Sequence, residues 1–214
     1  MRYRVLLSLL LAAACVVTLA PVERASAAGG NYVFDGGSTA EQGQVTAALN
    51  ASAFNWSLVT SQVTIHIVRN VATEATPGNI WVDANLLDAG RFSWGIVQHE
   101  YAHQVDFFLL NDTTRTTLQS SLGGQDWCYG VSGLPHSAYG CERFASVLAW
   151  SYWQSSDNAL QPQRRGDESS AMAPAAFRTL MVSLLGSGAS TATISKTTLA
   201  LAPTVAAAPK PRCH

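Results

Sequence analysis

The sequence predicts an α+β domain: a small mixed sheet packed on one largely buried helix, with a helical C-terminal part. Three observations carry this. Val63–Val68 alternates, with Val63, Ile65 and Ile67 on one face and Thr64, His66 and Val68 on the other, the two-residue period of a half-buried strand. Between Ser93 and Leu110, the apolar residues Trp94, Ile96, Val97, Tyr101 and Phe107 surround the run His99-Glu100-Tyr101-Ala102-His103, which suits a mostly enclosed helix. Pro174, then Phe177, Leu180, Met181, Leu184 and Leu185, then Gly186, outline a last helix with a proline start and a glycine stop.

Along the chain, Arg2 and Arg4, the apolar run Val5 to Ala20 and the small residues Ala25-Ser26-Ala27 read as a secretion signal over 1–27. The run is short of the roughly 20 residues that span a bilayer. A retained signal anchor, or a lipid on Cys15 within Ala12-Ala13-Ala14-Cys15, are the alternatives. Residues 28–186 then form one domain, and 187–214 are an Ala/Ser/Thr/Pro tail that reads as poorly packed. Gly29 to Gly37 is an entry segment, and Ser38-Thr39-Ala40-Glu41 a capping box ahead of Val45, Ala48 and Leu49. Pro77-Gly78 marks a turn before a second strand, Ile80-Trp81-Val82. Ser93 caps the motif helix, Asn111-Asp112 starts a helix that ends at Gly123-Gly124, and Gly123 to Gly140 is loop. A further helix covers Cys141 to about Gln154.

Loss of Arg2, Arg4, Arg24 and Glu23 with the signal leaves 10 basic against 13 acidic residues, a net charge of −3. With no Lys/Arg-rich patch, this is not the footprint of a nucleic-acid binder. Cys128, Cys141 and Cys213 remain, and an oxidising compartment favours one pair. Cys128 with Cys141 would pin the glycine-rich loop; Cys213 could instead pair with either.

Two imidazoles four residues apart, His99 and His103, share one helix face and can grip one metal ion, while Glu100 between them can take a proton from water. A third ligand comes best from Glu142, which starts the next apolar helix, with His136 in the loop as the other candidate. His66 on its strand and His214 in the tail are poorer choices. Arg165-Gly166-Asp167 spells an adhesion tripeptide of the kind that arises by chance.

His99-Glu100-x-x-His103 followed by a distant helical Glu resembles the gluzincin zinc metallopeptidases. Within them, His99-Glu100-Tyr101-Ala102-His103-Gln104-Val105-Asp106 and Tyr139-Gly140-Cys141-Glu142-Arg143-Phe144-Ala145 resemble the anthrax lethal factor–like branch, over Ile80 to Trp150. The resemblance implies a zincin-like fold, Zn2+ held by His99, His103 and Glu142, Glu100 as general base, and a tyrosine that stabilises the oxyanion. Tyr139 is the catalytic tyrosine by this likeness, but it stands three residues before Glu142 rather than two helical turns, so Tyr129 is the other candidate. Where the family often has an acid one turn after the ligand Glu, this chain has Ser146, which can bond a histidine but brings no charge. Asp106 matches a family Asp, either orienting a neighbour or solvated. By the same likeness, a peptide could add along the Trp81 strand, which could equally be a core strand. A secreted zinc-dependent endopeptidase acting on peptides or proteins is the implied function. A zinc-stabilised binding module and a zinc hydrolase of non-peptide bonds stay open beside it.

Overall fold

The computed structural model describes residues 29–190. The expected signal 1–27 with Cys15, and the tail beyond Ser190 with Cys213 and His214, lie outside the described residues. Strands β1 (Tyr32–Gly36), β2 (Val63–Val68), β3 (Glu74–Thr76) and β4 (Asn79–Asp83) make one mixed sheet in the order β1-β2-β4-β3. Helices are α1 (Thr39–Ala51), α2 (Ala84–Leu87), α3 (Trp94–Leu109), α4 (Asp112–Leu122), α5 (Gly140–Tyr152) and α6 (Pro174–Leu185). The molecule is thus α+β, as the sequence predicts. No helix among the described residues is long and apolar enough to cross a membrane.

Local chemistry explains most boundaries. Ser38 Oγ accepts from Glu41 N, and Glu41 Oε2 accepts from Ser38 N at 2.6 Å, closing the expected capping box on α1. Asn111 caps α4 in the same way, and Gly123 ends it at φ +73°, a left-handed turn that glycine adopts without strain. Ser93 does not cap α3. A 3-10 turn, Gly90–Ser93, runs straight into that helix, and the Ser93 hydroxyl donates backward to Gly90 O. In β2, Val63, Ile65 and Ile67 are buried, and its parallel partners are β1 and β4.

Two elements depart from expectation. Tyr32–Gly36, read as an entry segment, pairs with β2, its ladder supplied by residues some 30 positions later. Glu74–Thr76, where the sequence predicts no strand, is a three-residue strand antiparallel to β4. Consequently, of the two readings of the Trp81 strand, Ile80-Trp81-Val82 is the core strand, paired on both sides, and β3 forms the sheet edge beside it. Beyond α6 the chain stays packed through Ser190: Ala189 is buried, and its carbonyl accepts from Asn55 N.

α3 is the central element, with α1 and α5 against it and β3 and β4 beside its second half. Phe144, Val147 and Leu148 of α5 join Val97, Tyr101 and Val105 of α3 in one core. Each large aliphatic or aromatic side chain enclosed there contributes about 1.5–3 kcal/mol, so the α3–α5 contact is a firm base for side chains facing the cleft.

Candidate metal centre and its cleft

One helical turn separates His99 from His103, so both rings leave α3 on the same side, and the first turn of α5 brings Glu142 across to them. His99 Nε2 lies 3.2 Å from His103 Nε2 and 3.1 Å from Glu142 Oε2, and His103 Nε2 is 3.4 Å from the same oxygen. All three residues are buried. Ligands about 2.1 Å from a tetrahedral ion stand roughly 3.4 Å from one another. The spacing and the two-nitrogen, one-oxygen donor set therefore fit a small divalent cation. The thiols of Cys128 and Cys141, which also approach Glu142, are joined to each other in a disulfide and offer no thiolate.

Glu100 is buried to 6% exposure and faces the cleft beside this cluster. Burial raises its pKa, against the opposing pull of His99 and His103. The cleft encloses about 410 Å3. Residues Thr73 to Pro77, including β3, make one wall, and Cys128, Tyr129 and His136 the other, with Phe107 at the end of the motif face. Gln104 ties the first wall to α3: its Nε2 donates to Thr76 O and Asn79 O, and its Oε1 accepts from Gly78 N.

The second wall is pinned by three devices. The Cys128–Cys141 disulfide joins the loop to the start of α5, as one of the sequence pairings has it. Asp106 is buried rather than solvated; its carboxylate accepts from Trp127 Nε1 and from Arg115 Nε at 2.8 Å, which anchors the residue before Cys128. At Gly140 a Cβ would stand 2.8 Å from the Trp127 ring, so the loop crosses α5 where no side chain fits.

Tyr139 does not reach the cluster. It is buried, and its hydroxyl donates to Val131 O at 2.7 Å, because the turn entering α5 points the ring under the loop. Tyr129 lies in its place on the cleft wall and donates to Glu142 Oε1 at 2.9 Å. Its backbone sits at φ +57°, which costs a bulky residue about 1–2 kcal/mol, and its ring packs 4.2 Å from that of Tyr139. Strain of this kind held by surrounding contacts is common at functional sites. His136 also converges, with Nε2 3.1 Å from Glu142 Oε2.

Sequence reasoning missed Glu168. Carried on a 3-10 turn, Glu168–Ser170, it accepts from Ser146 Oγ at 2.9 Å and from His136 Nδ1 at 2.6 Å. Ser146 in turn meets His99 Nδ1 at 3.1 Å. No periodicity marks Glu168; only its polar surroundings, Asp167-Glu168-Ser169-Ser170, set it apart. His66 is elsewhere, on the outer sheet face between Asp35 and Asn79 and stacked on Trp81. Asp167 of the Arg165-Gly166-Asp167 tripeptide is engaged locally, accepting from Gln163 N and Arg164 N.

Burial alone would raise the Glu142 carboxyl, but hydrogen bonds with His103, His136 and His99 hold it far below the ordinary range. Glu168 is held low, against its burial, by His136 and Ser146. His136 is pushed up to about 10, first by its hydrogen bonds to Glu142 and Glu168. Carboxyls lowered on folding stabilise fully above 4.5 and lose that contribution as pH falls; a histidine raised on folding stabilises fully below 6.5 and loses it as pH rises towards 10. In chelator, the melting midpoint of the metal-free protein is therefore expected to peak between pH 4.5 and 6.5. A midpoint that climbs steadily from pH 6.5 to 9 would contradict these pairings.

No family model, curated protein or solved structure matches this chain.

Proposed function

We propose that this chain is a secreted zinc metallopeptidase of the gluzincin type, with a zincin-like arrangement of sheet and motif helix. One observation carries the reading: a buried Glu100 stands in the cleft beside a compact set of two imidazoles and one carboxylate. A purely structural metal site has no use for that extra carboxylate. The cystine supports an oxidising compartment.

His99, His103 and Glu142 are the ligands in this reading. When bound there, zinc supplies Lewis acidity, polarising the scissile carbonyl and bringing the pKa of water towards roughly 7. Glu100 takes the proton of the attacking water and hands it to the leaving amine; its raised pKa brings it closer to neutrality, where such shuttling is efficient. β3 is an edge strand whose residues line the cleft, so in this reading an extended peptide adds there through main-chain hydrogen bonds. Tyr129, rather than Tyr139, is the phenol that donates to the oxyanion. Replacing it, Tyr129→Phe, is expected to lower kcat by about 10²-fold with KM little changed; a kcat within twofold of the wild type would remove it from the chemistry.

His136 supports a second reading. With its Nε2 also against Glu142, His136 as a fourth ligand beside His99, His103 and Glu142 would close the site into a non-catalytic staple of a binding module. The deciding test is hydrolysis of an unfolded protein substrate. Activity lost to a chelator and restored by one equivalent of zinc supports the peptidase; a zinc-loaded protein that leaves the substrate intact supports the staple.

A further inference from the structure

We propose that Glu168 is a positioning residue for the metal centre: it fixes His99 through Ser146 and holds His136 directly, turning the Nε2 of both rings towards Glu142. This rests on the ligand set of the proposed metallopeptidase. The argument begins with the single proton of the Ser146 hydroxyl. Ser146 Oγ donates it to Glu168 Oε2 at 2.9 Å, which leaves that oxygen able only to accept. His99 Nδ1, 3.1 Å away, must then carry a hydrogen and donate it. When His99 is neutral, as a ligand must be, its lone pair is thereby settled on Nε2, the atom that faces His103 and Glu142. Without a carboxylate behind it, the serine could donate to Nδ1 and leave the hydrogen on Nε2, the form that cannot ligate.

The other oxygen of Glu168 holds a second ring in place. His136 Nδ1 meets Glu168 Oε1 at 2.6 Å, and its Nε2 points at Glu142 Oε2 from the cleft wall. One carboxylate, 26 residues beyond Glu142 in sequence, thus sets two imidazoles. It also returns the negative charge that Ser146 lacks, one hydroxyl removed from the histidine.

The turn that carries Glu168 is suited to hold it still. Asp167 accepts from the backbone of Gln163 and Arg164, Ser170 Oγ donates to Asp167 O, and Ser169 is buried. The Glu168–Ser170 turn packs on α5, the helix that bears both Glu142 and Ser146.

The test is zinc affinity by competition with a chromogenic chelator, on the whole protein and on Glu168→Gln, Ser146→Ala and the double variant. Absorption spectra of the cobalt-substituted proteins run beside it. Glu168→Gln and Ser146→Ala are each expected to weaken zinc binding by about 10–100-fold and to change the cobalt spectrum. The double variant should be no weaker than the worse single variant, since the two act in series. Ser146→Ala keeps the test open if Glu168→Gln does not fold. Wild-type affinity in either single variant, or losses that multiply in the double, would overturn the relay while leaving the ligand set standing. A wild-type protein that binds no zinc would overturn both.

Discussion

Glu100→Gln is expected to remove peptide hydrolysis by at least about 10³-fold while zinc affinity stays within a few-fold of the wild type. The substitution preserves size in a residue that is only 6% exposed, so neither cavity nor overpacking results. Glu100 faces the cleft beside the close contacts of His99 and His103 with Glu142 rather than within them, so the ligand geometry does not depend on its charge. What an amide cannot do is accept a proton from water and return it to an amine. Parallel measurement of kcat/KM and of zinc affinity checks both halves. Hydrolysis retained in the variant would place the base elsewhere, and loss of zinc would make Glu100 a ligand.

Removing Glu142 is expected to strike at the metal itself. Glu142→Ala should weaken zinc binding by well over the roughly 100-fold typical of an outer-shell partner, because Glu142 Oε2 is the one oxygen shared by His99, His103 and His136. Tyr129 also loses its acceptor, so the cleft wall that bears it should loosen, with faster proteolysis between Trp127 and His136. Chelator competition and timed digestion report the two effects separately. Tight zinc binding in Glu142→Ala would mean that His136 supplies the third ligand in its place.

Much of this framework is legible in the sequence because short-range chemistry marks it. The capping boxes at Ser38 and Asn111, Pro174 at the start of α6 and the two-residue alternation of β2 are all written within a few residues of the element they define. Ser93 resembles such a mark, but a preceding 3-10 turn supplies the continuity a cap would otherwise give. β1 and β3 are not legible. They are short, and their stability comes from ladders with β2 and β4 rather than from their own residues.

The candidate site divides the same way. His99, Glu100 and His103 share one helix face by spacing alone, and Glu142 follows from the next apolar helix. Nearness along the chain misleads for Tyr139, whose hydroxyl turns to Val131, whereas Tyr129 reaches Glu142 through a left-handed backbone and a disulfide that no local pattern encodes. Glu168 is hidden for the same reason: its partners His136 and Ser146 lie 32 and 22 residues away and meet it only in the folded chain.

The most direct measurement is mass spectrometry of a mixed peptide library incubated with the zinc-loaded wild-type protein. New peptide termini that appear with zinc, vanish with chelator and share flanking residues are the predicted result. An intact library, from protein shown to hold one zinc at His99, His103 and Glu142, would contradict a peptidase.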